Sequence, residues 1–172
     1  MVFPASKEGV KRVYGTTVSG GFSTSYGGNG TVFRISTNGM LITLYSFLVS
    51  TDGAAPNALV QGSDGSFYGT TYNGGTNSQG TVFEISTNGV LSYLYFFADT
   101  NDGVNPNGLV QGSDGNFYGT TSGGGTNNQG TVFKISANGV LTSLYSFTGG
   151  NDGGNPYAGL VQGSDGSFYG TT

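Results

Sequence analysis

The stretch GLVQGSDGNFYGTT (108–121), continued by SGGGTNNQ (122–129) and GTVFKISANGVLTSLYSF (130–147), decides the fold. GLVQGS (108–113) is a short apolar run ending in the pair Asp114-Gly115, and NFYGTT (116–121) follows at once. Asp-Gly between two such runs signals a tight hairpin, because both residues tolerate positive φ. SGGGTNNQ is a polar loop. GTVFKIS (130–136) is rich in the β-branched and aromatic residues that suit a pleated surface. Asn138-Gly139 is the next tight turn, and VLTSLYSF (140–147) is a fourth strand. No segment carries an apolar period of 3.6 over ten or more residues, so no substantial helix is expected. The four strands are named A, B, C and D.

The unit repeats. GTVF stands at 30–33, 80–83 and 130–133; YGTT stands at 14–17, 68–71, 118–121 and 169–172; QGSDG stands at 61–65, 111–115 and 162–166. A four-stranded unit in tandem at ~40–50 residues is the pattern of a β-propeller blade. A β-solenoid is the rival, but its coils are shorter, ~20–30 residues, and lack two hairpins each. The expected fold is all-β and β-propeller-like, with four-stranded antiparallel blades and roughly three blades plus a half per chain. Residues 1–12 form an N-terminal arm or a degenerate strand, and 13–172 form the repeat domain, in units of about 13–67, 68–117 and 118–172. In an antiparallel meander successive connections alternate ends. The long B–C and D–A loops therefore share one face, and the tight turns share the other.

Composition excludes several chemistries. The 172 residues include no Cys, His or Trp. This removes disulfides, thiolate and imidazole metal sites, and a His general base. Charged residues are 8%, five basic against nine acidic, so no basic run can neutralise several phosphates and no nucleic-acid partner is expected. From Val13 onward two basic residues, Arg34 and Lys134, face eight acids. Such a surface repels anionic membranes. No apolar run approaches the ~18 residues of a membrane span, so no membrane insertion is expected. MVFPASKEGVKRVYG (1–15) lacks the apolar region of a secretory signal.

The phrases GTVFKIS-x-NG-x-LT-x-LYSF, DG-x-x-P and GLVQGSDGNFYGTT resemble the GloVer-type tandem repeat of bacterial surface proteins over residues 13–172. GSDGNFYGTT is also similar to phrases of NHL-like and streptogramin-lyase-like propellers. The first resemblance implies export to the cell surface, an extracellular location, and no settled activity. The lyase-like propellers use His in catalysis, and this chain has none.

Candidate chemistry falls on the turns and loops. Asp64, Asp114 and Asp165 lie in A–B turns, and Asp52, Asp102 and Asp152 in D–A loops. One Asp-Gly per repeat reads as a turn-capping hydrogen bond. Asp99, Asn101 and Asp102, with Asn105, offer the hard oxygens that Ca2+ takes, although Gly103 falls one place early for an EF-hand. No other cofactor is expected. The Gly-rich B–C loops lack the helix or Lys that a phosphate cradle requires. A neutral glycan is held by amides over an aromatic ring. The long-loop face offers Asn73, Asn77, Asn105 and Asn127 with Tyr26, Tyr72 and Tyr157, and also Phe22, Asn107, Asn128 and Asn155. The aromatics that recur in every repeat, among them Phe33, Tyr145, Phe147, Phe168 and Tyr169, read as core.

Closed propellers have ~4–8 blades, so three blades leave a ring open. Open ends expose strand edges and apolar faces. Two chains in a ring, a head-to-tail filament, or a longer natural array would each cover them. RVYGTT (12–17) would then either occupy blade 1 or be displaced. The expected interface is Val13, Tyr14, Val32 and Phe33 at one end, with Leu160, Val161, Phe168 and Tyr169 at the other. The expected function is a non-enzymatic, extracellular, self-assembling structural protein whose partners are other copies of itself. The alternative is a lectin-like module that binds neutral glycans through its long loops. A glycoside hydrolase, which needs two carboxylates ~5–10 Å apart, is a remote third.

Overall fold

The computed structural model describes residues 12–22, 27–48, 51–98 and 101–172. They form four antiparallel sheets in chain order. Blade 1 holds β1 (Arg12–Thr17), β2 (Thr31–Ser36) and β3 (Leu41–Ser46). Blade 2 holds β4 (Ala54–Pro56), β5 (Val60–Gln61), β6 (Phe67–Asn73), β7 (Thr81–Ile85) and β8 (Leu91–Phe96). Blade 3 repeats that layout with β9 (Val104–Pro106), β10 (Val110–Gln111), β11 (Phe117–Gly123), β12 (Thr131–Ile135) and β13 (Leu141–Ser146). Blade 4 has β14 (Val161–Gln162) and β15 (Phe168–Tyr169) alone. No described residue is helical. The fold is all-β and propeller-like, as the repeat implies. RVYGTT occupies the B position of blade 1, paired along its length with β2.

Strand A departs from the single run expected at 108–113. In blade 3 it splits into β9 and β10, both paired with β11. The break is at Asn107, a buried residue whose side chain turns inward. Its Nδ2 donates to Thr120 Oγ1 at 2.9 Å and to the Pro156 carbonyl at 2.8 Å. Asn57 does the same in blade 2, reaching Thr70 Oγ1 and the Pro106 carbonyl. A lone apolar-run reading misses the first piece because it contains Pro106. Proline is tolerated there because β9 is an edge strand.

Each blade shows one set of side chains upstream and another downstream, since successive residues of a strand face opposite sides. Between blades 1 and 2 lie buried Val32, Phe47, Phe67, Phe83 and Ile85, flanked by Tyr14, Leu44, Tyr45, Leu59, Leu91 and Tyr93. Between blades 2 and 3 the equivalent residues recur: Tyr68, Val82, Phe97, Phe117, Phe133 and Ile135, with Val60, Leu94, Tyr95, Leu109 and Leu141. Within each interface the Tyr of one B strand stacks on the Phe of the next. Tyr14–Phe67, Tyr68–Phe117 and Tyr118–Phe168 have centroids 4.1, 4.0 and 4.0 Å apart. The backbones also approach closely. A Cβ at Gly80, whose φ is 99°, would lie 2.5 Å from Pro106 Cδ of the next blade. Pro106 is the second of the repeated prolines, so these residues serve blade contact as well as the loop.

Candidate assembly interface

The two ends of the row lack what the interior interfaces contain. Leu44 and Leu94, with Tyr45 and Tyr95, pack into the clusters between blades. Their counterparts in blade 3, Leu144 and Tyr145, are 50% and 48% exposed. Blade 4 supplies strands A and B against blade 3 but no C or D strand. The half of blade 3 that C and D would cover is bare. Tyr145, expected in the core by its repetition, is therefore half-exposed; Tyr169, expected there too, faces away from blade 3 and is 54% exposed where its equivalent Tyr68 is 2%.

A cavity of about 290 Å³ marks the vacancy, lined among others by Val132, Phe147, Leu160, Phe168 and Gly170. The interior blades show what belongs there. A Cβ at Gly69 would lie 2.7 Å from Phe83 Cζ, and one at Gly119 would lie 2.7 Å from Phe133 Cζ. The same glycine in blade 4, Gly170, has Leu160 Cδ2 beside it at 2.7 Å and no ring. In blades 2 and 3 a C-strand phenylalanine fills this place.

At the other end, Phe33, Ile35 and Leu41 hold the places that Phe83, Ile85 and Leu91 hold in blade 2, which face upstream. Leu41 is 55% exposed and Val13, in the place of Phe67, 61%. Of the four residues expected at this end, Val13 and Phe33 face it. Tyr14 and Val32 face blade 2 instead, Val32 fully buried. At the C-terminal end Leu160 and Phe168 turn toward blade 3, while Val161 and Tyr169 occupy the outward positions of Val60 and Tyr68. Strand alternation, not distance from the end, sorts these residues. The sequence reading missed Leu41, Leu144, Tyr145 and Gly170. Comparing each repeat's apolar positions with the missing fourth C–D hairpin would have found them.

The long-loop face is knitted to itself. Asn105 Nδ2 donates to the Tyr72 carbonyl at 3.0 Å and to Asn73 Oδ1 at 3.1 Å. Asn77 and Asn127 reach the carbonyls of Phe97 and Phe147. Tyr72 lies near Ser122 Oγ, which also donates to the Asn105 carbonyl. Tyr157 stands 78% exposed. Tyr26 and Asp99 lie outside the described residues.

The carboxylates have local partners. Asp64 Oδ1 accepts from the Ser66 N–H and its Oδ2 from the Tyr68 hydroxyl at 2.7 Å. Asp52 accepts from the Tyr45 hydroxyl at 2.8 Å, and the Tyr93 hydroxyl donates to its carbonyl at 2.7 Å. Tyr95 donates to Asp102 in the same way. In blade 3 the Thr148 hydroxyl, its N–H and the Tyr145 hydroxyl together lower the pKa of the Asp152 carboxyl to about 2, below the ordinary carboxylate range. Asn101 and Asp102 also have hydrogen-bond or electrostatic partners. No group of three or more His, Cys, Asp or Glu placed to hold a metal occurs among the described residues.

The match to the Gloeobacter/Verrucomicrobia repeat model runs over residues 5–172. The chain belongs to this family. No curated protein matches it. Among solved structures, one described as a "putative gluconolactonase" is similar at a TM-score of 0.53 and 20% identity, over 81% of this chain and 49% of that one. The family member thus spans about half the length of that propeller-type structure. This finding overturns the expectation that the chain is not an enzyme. That expectation rested on missing histidines and repeated aspartates, yet a structure of the same architecture is described as an enzyme. The likeness at this identity gives the fold, not the activity.

Proposed function

We propose that this repeat protein assembles head to tail with further copies of itself, the C-terminal end of one chain docking on the N-terminal end of the next. The observation that carries the reading is the half-bare face of blade 3. Leu144 and Tyr145 are exposed there while their equivalents in blades 1 and 2 are packed. The opposite end offers the complement: a C–D hairpin, β2–β3, bearing Phe33, Ile35 and Leu41 in the same pattern that fills the interior interfaces. The contact is heterologous, so it closes into a ring or extends into a filament according to the angle per chain. The resemblance to bacterial surface proteins supports an extracellular place for the assembly, which fractionation of cells making the full natural protein tests.

Light scattering over a concentration series tests the assembly. Twice the chain mass, sharply held, is the ring; mass that grows with concentration is the filament. One chain mass at every concentration overturns the reading.

A further inference from the structure

Head-to-tail docking brings two B strands to one place. Blade 4 contributes A and B; blade 1 contributes B, C and D. A four-stranded blade has room for one B strand, so either β1 or β15 must leave. The two share YGTT, at 14–17 and 169–172, but differ in the residue before it: Val13 in β1 and Phe168 in β15.

That residue decides the competition. In the interior, the Phe of strand B stacks upstream on a Tyr, and the adjacent Tyr stacks downstream on the next Phe. β15 carries both rings. Its Phe168 already lies on Tyr118, and its Tyr169 is free to lie on the next chain's Phe67 in place of Tyr14. β1 carries only the downstream ring, Tyr14 on Phe67. Val13 leaves nothing to stack upstream. The Gly170 seat permits the exchange without favouring it, since Gly15 of β1 already lies opposite Phe33. With β15 beside β2 in the interior register, Gly170 comes opposite Phe33, as Gly69 is opposite Phe83 and Gly119 opposite Phe133. A third match lies on the tight-turn face. Gln111 Oε1 accepts from the Ser63 N–H at 2.9 Å, and Gln162 Oε1 from the Ser113 N–H at 3.1 Å, each reaching to the blade upstream. Gln61 has no upstream A–B turn beside it among the described residues. The incoming β14–β15 turn brings the Ser164 N–H to that position.

We propose that β1 is a placeholder strand, occupying the B position of blade 1 in the single chain and displaced on assembly by β15 of a second copy. The proposal rests on the head-to-tail reading and adds to it a barrier: a chain must release β1 before it can accept a neighbour.

A disulfide tests it directly. Thr17 Oγ1 and Thr31 Oγ1 lie 2.9 Å apart across β1 and β2, and the chain has no other thiol to interfere. The double variant Thr17→Cys/Thr31→Cys, oxidised, fixes β1 in place; reduction frees it. The expected result is one chain mass by light scattering when oxidised, at concentrations where the reduced variant and the wild type assemble. Equal assembly in both redox states overturns the exchange while the head-to-tail reading stands. One chain mass for wild type and reduced variant at all concentrations overturns both. Gly170→Val gives a test free of the cysteine pair. The new Cβ meets only the flexible end of Leu160 within its own chain, and the branched side chain enters the seat of Phe33. Assembly is expected to weaken at least ~tenfold, with the melting temperature of the single chain unchanged. Assembly as tight as wild type would remove the seat, and with it the exchange.

Discussion

At the scale of single residues, the glycines of YGTT set the spacing between strand and ring. Gly119 faces Phe133 Cζ at 2.7 Å and Leu109 Cδ2 at 3.0 Å, counted from a built Cβ. Gly119→Ala overpacks this contact and is expected to cost ~1–3 kcal/mol. Gly108→Ala, with nothing within 4 Å, is the control and is expected to change stability by less than ~0.5 kcal/mol. Urea denaturation of the two variants checks the difference; equal midpoints would mean that Phe133 moves aside without loss. The tyrosine–aspartate pairs make a second prediction. Burial, more than the neighbouring carboxylate, raises the hydroxyl pKa of Tyr68 above its ordinary value, and burial is likewise the first cause for Tyr45 and Tyr93. Above pH ~10 the unfolded chain releases these protons while the folded one keeps them. Their contribution is present below that pH and lost as pH rises through the raised values, so the urea midpoint is expected to fall between pH 9.5 and 11.5, values set around the ~10 of free tyrosine. A flat profile would mean that the hydroxyls titrate freely in the folded protein. The turn role of Asp64 and Asp114 was legible from Asp-Gly alone. The inward reach of Asn107 was not, because an Asn beside Gly and Pro reads as exposed loop until the next blade's carbonyl is seen above it.

At the scale of elements, the A strand carries the information that periodicity hid. Its two pieces flank Asn57 or Asn107, and each of these amides ties its own B strand to the following blade's proline carbonyl. The third repeat has Tyr157 and Ala158 after its proline and no amide in this place. Asn107→Ala leaves the Pro156 carbonyl and Thr120 hydroxyl without that donor in a buried site, which is expected to cost ~1–3 kcal/mol. Asn105→Ala, from the more open loop, is expected to cost less. Thermal melts of both variants decide this, and an Asn107→Ala protein as stable as wild type would demote the ladder to incidental contact. Strands B, C and D were legible to within two residues because a β-branched and aromatic run between tight turns allows no other element. Strand A was not, since Pro106 and positive-φ Asn105 suggest a turn, and only pairing with β11 makes a strand of Val104–Pro106.

At the scale of the whole molecule, the core clusters of the described residues lie between adjacent blades, so stability is the sum of blade terms and interface terms. Blade 2 has a full interface on both sides. Blade 3 has one full interface and one half, and β14–β15 has the half alone. This ordering was legible only in part. Counting strands gave open ends, but which side chains lie bare at them follows from the direction each faces across a sheet. The expected consequence is a gradient of amide hydrogen exchange in the single chain. Protection should be greatest in β6 and β7, lower in β12, and lowest in β15, because local opening costs least where fewest buried contacts break. Raising the concentration until chains assemble should slow exchange in β15 and in β2, while β6 and β7 change little. Slowing at β15 together with faster exchange in β1 would register a strand leaving as another arrives. Uniform protection across all four blades at low concentration would mean instead that the row opens as a single cooperative unit, with its half-covered end as secure as its centre.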